Sequence, residues 1–130
     1  MTDDRIKVLV ADDDAVFVES LRELIDRQPE LEVVGAAQNG LEAIDLADNL
    51  DVDAVVVDLH MPLLDGITAV SRLRRDHPNL CLIVLTGDAD SKLHRAAAEA
   101  GADAVLEKSA LAQGLIDRLS AETAKRPSSR

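Results

Sequence analysis

Five polar residues stand at the ends of successive apolar runs, and this limits the fold more than any other feature of the chain. Ile6-Lys7-Val8-Leu9-Val10-Ala11 leads into Asp12 and Asp13. Ala54-Val55-Val56-Val57 leads into Asp58, and Leu80-Cys81-Leu82-Ile83-Val84-Leu85 into Thr86. Ala104-Val105-Leu106 is followed, after Glu107, by Lys108. Short runs of this kind, rich in Val, Ile and Leu and lacking polar alternation, read as strands buried on both faces. Such strands belong to parallel sheets, whose C-terminal strand ends open on one edge where ligands bind. Three carboxylates, a hydroxyl and an ammonium thereby gather in one place, the outline of a cation-assisted phosphoryl site.

The rest of the chain fits that frame. Strands are expected at about 6–11, 31–37, 54–59, 80–86 and 104–107, with segments of helical period between and after them. The first helix, about 14–27, puts Phe17, Leu21, Leu24 and Ile25 on one face. The second, about 40–49, opens with Asn39 and Glu42 at capping-box spacing. The third, about 65–76, turns Ile67, Val70 and Leu73 inward and ends before Pro78. The fourth, about 90–100, is alanine-rich and stops at Gly101. The fifth, about 110–122, presents Leu111, Leu115, Ile116 and Leu119. Five βα units with right-handed crossovers make an α/β sandwich, a parallel sheet with helices on both faces. Periodicity does not order the strands.

With 130 residues the chain is long enough for one domain with a full core. Phe17 is its only aromatic residue, so that core must be aliphatic. The net charge of −11 repels phosphate backbones and anionic membrane surfaces, which disfavours both as direct partners. The single cysteine, Cys81, excludes an internal disulfide and lies in an apolar run, where a small buried hydrophobe is expected. No apolar stretch approaches the ~20 residues of a membrane helix, and Met1–Arg5 has no signal-peptide core, so a cytoplasmic location is expected. A domain over 1–123 is expected, with 124–130 as a disordered tail or the start of a linker.

The strand-end residues carry the chemistry. Converging Asp12, Asp13 and Asp58 would raise one another's pKa values, a cost that a divalent cation removes. Mg²⁺ suits such a site, because it prefers oxygen ligands and is held by a few carboxylates plus phosphate. Asp58 ends the most apolar strand, and a carboxylate can take a phosphoryl group as an acyl phosphate. Lys108 would add positive charge and Thr86 a hydrogen bond to the phosphoryl oxygens. Taken singly, each Asp reads as a turn or cap, Lys108 as a surface lysine and Thr86 as a strand-end hydroxyl. Their shared placement favours the phosphoryl reading.

Asp12-Asp13, Asp58 with Met61-Pro62 and Asp65-Gly66, Thr86-Gly87, Gly101-Ala102 and Lys108 together resemble the receiver domain of bacterial two-component response regulators. The resemblance covers about residues 5–122. It implies a flavodoxin-like fold with strand order 2-1-3-4-5. It implies Asp58 as phosphoacceptor from a sensor histidine kinase or phosphotransfer protein, in a phosphorelay. Mg²⁺ would be held by Asp12, Asp13, Asp58 and the backbone carbonyl of His60, with Thr86 and Lys108 on the phosphoryl group. The face made by the fourth helix, last strand and last helix would then change shape. The output is a downstream protein or a further domain, and a homodimer through exposed helix faces is a further expectation.

The chain departs from that family's pattern at two places. Val105 stands where an aromatic usually precedes the lysine by three positions, and a valine side chain has too few rotamers for a large swing. Ser109 follows the lysine where proline is common. A trans peptide is expected there, with Ser109 as N-cap of the last helix. The resemblance implies that His60 and Asp88, two positions beyond Asp58 and Thr86, flank the phosphoryl group and tune its lifetime, and Asp88 reads equally as a helix cap. His77 and His94 read as surface residues.

Two rivals differ in kind. An aspartate-nucleophile phosphatase also uses a strand-end Asp, Mg²⁺, a Thr and a Lys, and places a second acid two residues later. Here that position is His60, or Asp14 if Asp12 were the nucleophile. The third reading is a receiver-like scaffold acting by contact alone. The leading one is a signalling phosphoacceptor, not an enzyme of multiple turnover.

Overall fold

The computed structural model describes residues 5–87 and 91–124. Five strands, β1 (Ile6–Ala11), β2 (Leu31–Ala37), β3 (Ala54–Asp58), β4 (Cys81–Thr86) and β5 (Ala104–Glu107), form one parallel sheet in the order β2-β1-β3-β4-β5. The helices that follow them are α1 (Ala15–Asp26), α2 (Gly40–Asn49), α3 (Gly66–Asp76), α4 (Ser91–Ala100) and α5 (Leu111–Ala124). The five-unit α/β sandwich and its expected strand order are both observed.

Strand alternation divides the core into two layers. Val8, Val10, Val56, Cys81, Ile83 and Leu85 face Leu21 and Ile25 of α1 and Leu115, Ile116 and Leu119 of α5. Leu9, Val55, Val57, Leu82 and Val84 face Ala47 of α2, Val70 and Leu73 of α3 and Ala97 of α4. Cys81 is fully buried in the first layer, as its apolar setting requires. Ile67 of α3 packs partly against the second layer, and Leu93 joins Ala97 in holding the alanine-rich α4 there.

Side-chain caps set the helix starts. Asp14 accepts from the N–H groups of Val16 and Phe17, so α1 begins at Ala15. Asn39 accepts from the Glu42 N–H at 2.8 Å. The Glu42 carboxylate in turn accepts from Gln38 N–H at 2.7 Å, one residue before the position a capping box uses. The last helix differs from expectation at its start. Lys108–Ala110 wind as a 3₁₀ turn, so α5 begins at Leu111 and Ser109 lies within that turn rather than at the N-cap. The Lys108–Ser109 peptide is trans. At the other end α5 continues through Ala124, the residue where the tail was expected to begin. Residues 125–130 of that tail lie outside the described residues, as does Asp88.

At the opposite edge of the sheet, Arg74 in the last turn of α3 ties several loops together. Its guanidinium donates to the carbonyls of Gly101, Pro78 and Leu80 and to the Asp103 carboxylate at 2.8–3.0 Å. Asp103 also accepts from Leu82 N–H at 2.8 Å. Gly101 ends α4 at φ +123°, a left-handed conformation that favours glycine, and a Cβ there would stand 2.8 Å from Arg74 Cβ. No helix among the described residues is long and apolar enough to cross a membrane.

Candidate functional site

Register carries the polar residues to one edge. Ala11 pairs with Val57, so the next residues, Asp12 and Asp58, lie at the same level on neighbouring strands. Asp12, Asp58 and Lys108 each stand two residues past a side chain of the α1/α5 layer (Val10, Val56 and Leu106), which aims all three toward the same face. Carboxylate oxygens of Asp12, Asp13 and Asp58 all lie within 4.8 Å of one another. Asp12 and Asp58 are buried, whereas Asp13 opens to solvent.

Lys108 closes the group. Its ammonium is 2.9 Å from Asp12 Oδ2 and 3.6 Å from Asp58 Oδ1, with 27% of its side chain exposed. The other oxygen of Asp12 accepts from the Asp14 N–H at 2.9 Å. Asp58 Oδ1 also accepts from the backbone N–H of His60 at 3.4 Å, and the His60 residue itself is exposed.

The charges are unequally matched. Burial above all, then the negative charge of Asp12 and Asp13, raises the pKa of Asp58 above its ordinary 3.8. Lys108 and the His60 N–H oppose that rise only in part. Burial alone would lower the pKa of Lys108. Its hydrogen bond to Asp12 and the charges of Asp58 and Asp12 outweigh that burial and raise it above 10.5, so it is a firm cation. Three carboxylates against one ammonium leave an excess of negative charge on hard oxygen donors. That donor set fits a small divalent cation such as Mg²⁺.

Thr86 is fully buried at the end of β4, one residue past Leu85, the register partner of Asp58. The strand ends therefore bring all five residues to one edge, with Asp12, Asp13, Asp58 and Lys108 in a single cluster and Thr86 on the adjoining strand. The loop after β3 is shaped to the site. Gly66 N–H donates to Leu59 O at 3.0 Å, and a Cβ on Gly66 would lie 2.4 Å from the Asp58 carbonyl. Only glycine lets α3 start this close to the strand end. Asp65 then caps α3 through Thr68 N–H, and that bond chiefly lowers the Asp65 pKa below 3.8.

Two residues take roles at the site other than those expected of them. Asp14 is engaged with its own helix through Val16 and Phe17, which leaves it badly placed as a second acid beside Asp12. Phe17, expected only as a core residue of α1, has its ring centroid 4.2 Å from the Lys108 ammonium. Its signal in the sequence was its place three residues after the cap, as the one aromatic near the Asp pair. His77, read as a surface residue, holds Asp48 at 2.7 Å and is half-buried. Val105 packs partly against the second core layer, consistent with a fixed valine.

Comparison with known proteins agrees with this geometry. A family model described as the response regulator receiver domain matches residues 8–120. The nitrate/nitrite response regulator NarP of Escherichia coli is 36% identical over 116 residues, which are 88% of this chain and 54% of that protein. A protein-glutamate methylesterase/protein-glutamine glutaminase of Shewanella frigidimarina is 41% identical over 99 residues, 75% of this chain but 25% of that protein. The chain thus spans about a quarter to a half of the length of these relatives. The response regulator domain of Thermotoga maritima CheB superposes with a TM-score of 0.87 at 29% identity, covering 95% of this chain and 99% of that one. A LuxR-family two-component response regulator from Aurantimonas sp. SI85-9A1 gives 0.88 at 30% identity, covering 94% and 87%. With the fold, the strand-end cluster and the sequence match in accord over nearly its whole length, the chain belongs to the response regulator receiver domains of bacterial two-component systems.

Proposed function

We propose that Asp58 accepts a phosphoryl group from a phosphohistidine of a sensor kinase or phosphotransfer protein. An Asp58 carboxylate oxygen attacks phosphorus, the P–N bond breaks, and the bonding pair and a proton go to the departing imidazole. The product is an acyl phosphate. The observation that carries this reading is the three-carboxylate cluster with the Lys108 ammonium set between Asp12 and Asp58.

Asp12, Asp13 and Asp58, with the His60 carbonyl, would hold Mg²⁺. When bound, that ion supplies positive charge against the phosphoryl oxygens. Lys108 meets a further oxygen as a point charge, and Thr86 donates a hydrogen bond from β4. Burial of Asp58 at the strand tip limits the water that reaches the acyl phosphate.

Read this way, the domain is a phosphoacceptor whose output is a change of partner, through α4, β5 and α5, to a downstream protein, a second copy of the chain or a linked domain. Residues 1–123 carry that activity, inside the cell where kinase and nucleotide are found. A turnover phosphatase is disfavoured by Asp14, whose carboxylate caps α1.

Incubation with a small acyl phosphate and Mg²⁺, followed by intact-protein mass spectrometry, tests the assignment. A single phosphoryl adduct is expected, absent in Asp58→Asn and lost on chelation of the metal. Undiminished labelling of Asp58→Asn would refute it, and sustained turnover of a phosphate monoester would favour the phosphatase.

A further inference from the structure

Phe17 is the one Phe, Tyr or Trp of the chain, and its ring centroid lies 4.2 Å from the Lys108 ammonium. The contacts around that ring form a closed loop. Asp12 Oδ2 binds the Lys108 ammonium at 2.9 Å, and Asp12 Oδ1 accepts from Asp14 N–H at 2.9 Å. Asp14 Oδ1 in turn accepts from Phe17 N–H at 3.2 Å, and the Phe17 ring returns to the Lys108 ammonium at 4.2 Å. Every link except Lys108 itself lies within residues 12–17. The ring is rooted as well, because Phe17 packs against the core layer of α1 and α5.

We propose that Phe17 is a positioning residue for phosphoryl transfer, holding the Lys108 ammonium in the site through its ring face. This rests on the phosphoacceptor reading above. The physical case is that lysine carries a flexible four-carbon stem on which a point charge wanders unless fixed. Asp12 at 2.9 Å and Asp58 at 3.6 Å fix it through carboxylates alone. A ring face attracts a cation within about 6 Å, and the attraction strengthens as water is excluded, as it is here with 27% of the lysine side chain exposed. An aliphatic residue at 17 would fill the core but offer no such attraction. The cap bond from Asp14 sets the backbone of Phe17, so α1 and the lysine share one support. At position 105 the chain has valine, so Phe17 is the one Phe, Tyr or Trp that the sequence offers the site.

The test combines structure and rate on the full chain. In the unphosphorylated protein, ring currents should move the Lys108 ε-methylene protons upfield of those of the other lysines. Phe17→Leu should remove that shift, and Phe17→Tyr should keep it. With a small acyl phosphate and Mg²⁺, Phe17→Leu should slow single-turnover labelling by about three- to tenfold, and Phe17→Tyr should restore it to near the wild-type rate. Rates are compared well below each variant's melting temperature, so a loss of stability is not read as a loss of positioning. The proposal is overturned if the wild-type methylene protons resonate with those of exposed lysines. It is also overturned if Phe17→Leu labels at the wild-type rate, or if Phe17→Tyr is as slow as Phe17→Leu. Labelling that persists in Asp58→Asn would instead overturn the phosphoacceptor reading, and the proposal with it.

Discussion

Replacing Lys108 with methionine keeps a stem of similar length and removes the charge. The structure sets the size of the effect. Asp12 has two oxygens and a side chain 1% exposed. One oxygen keeps its bond to Asp14 N–H, while the other loses its ammonium partner at 2.9 Å. A hydrogen bond to a charged group is worth about 1.5–3 kcal/mol, and stripping one partner from a buried pair costs about 3–5 kcal/mol. Lys108 is part-exposed, so water can replace some of its role and the lower part of that range applies, about 2–3 kcal/mol. For a domain of this size each kcal/mol moves Tm by roughly 3–5 °C, so the variant should melt about 6–15 °C lower. Asp58 would also lose an influence that lowers its pKa, so the deficit should grow from acidic to neutral pH and shrink again only where Lys108 itself loses its proton, above 10.5. Mg²⁺ should restore more stability to the variant than to the wild type, because the site it enters is more negative. Thermal melts by circular dichroism, with and without Mg²⁺, measure all three effects. A Tm within 1–2 °C of wild type in metal-free buffer would refute the claim that the ammonium stabilises the acidic cluster (roughly half a kcal/mol or less).

Other outcomes follow from the same geometry. Asp58 has a raised pKa, so the folded state holds its proton more tightly than the unfolded chain. Its ionisation therefore weakens folding as pH climbs from about 3.8 through the folded value. Asp58→Asn should accordingly melt higher than wild type near neutral pH, with the gap closing toward pH 4, and a pH-independent gap would contradict this origin. Arg74→Ala should cost about 2–3 kcal/mol in urea unfolding, because it strips charged donors from Gly101, Leu80 and Asp103 in one step, and Arg74→Lys should recover less than half.

The sequence showed the strands best because their ends are marked twice, by the close of an apolar run and by a polar residue. The β1, β2 and β5 boundaries agree with the expected ranges, and β3 and β4 differ by one residue each at one end. Order in the sheet depends on which strands pair across long stretches of chain, and period-2 patterns carry nothing on that. It came from the motif resemblance. The start of α5 was misplaced for a local reason. Ser109 suits an N-cap by type, but the chain after Lys108 tightens into a 3₁₀ turn before the helix. Sequence spacing likewise gave no hint of the Arg74 fork, whose partners lie up to 29 residues away.

The site itself was legible as a set of residue types but not as a balance of charges. Placing Asp12, Asp58 and Lys108 at strand ends follows from the pattern. That Lys108 pairs more closely with Asp12 than with Asp58 does not, since it depends on differences below an ångström across a sheet. The difference has a chemical consequence. With the ammonium bonded to Asp12, Asp58 keeps an oxygen less fully engaged, which suits the phosphoacceptor role proposed for it. A lysine bonded tightly to Asp58 would neutralise the carboxylate proposed to attack. The short contact to Asp12 and the longer one to Asp58 thus place the positive charge near where phosphoryl oxygens would stand, without spending it on the acceptor.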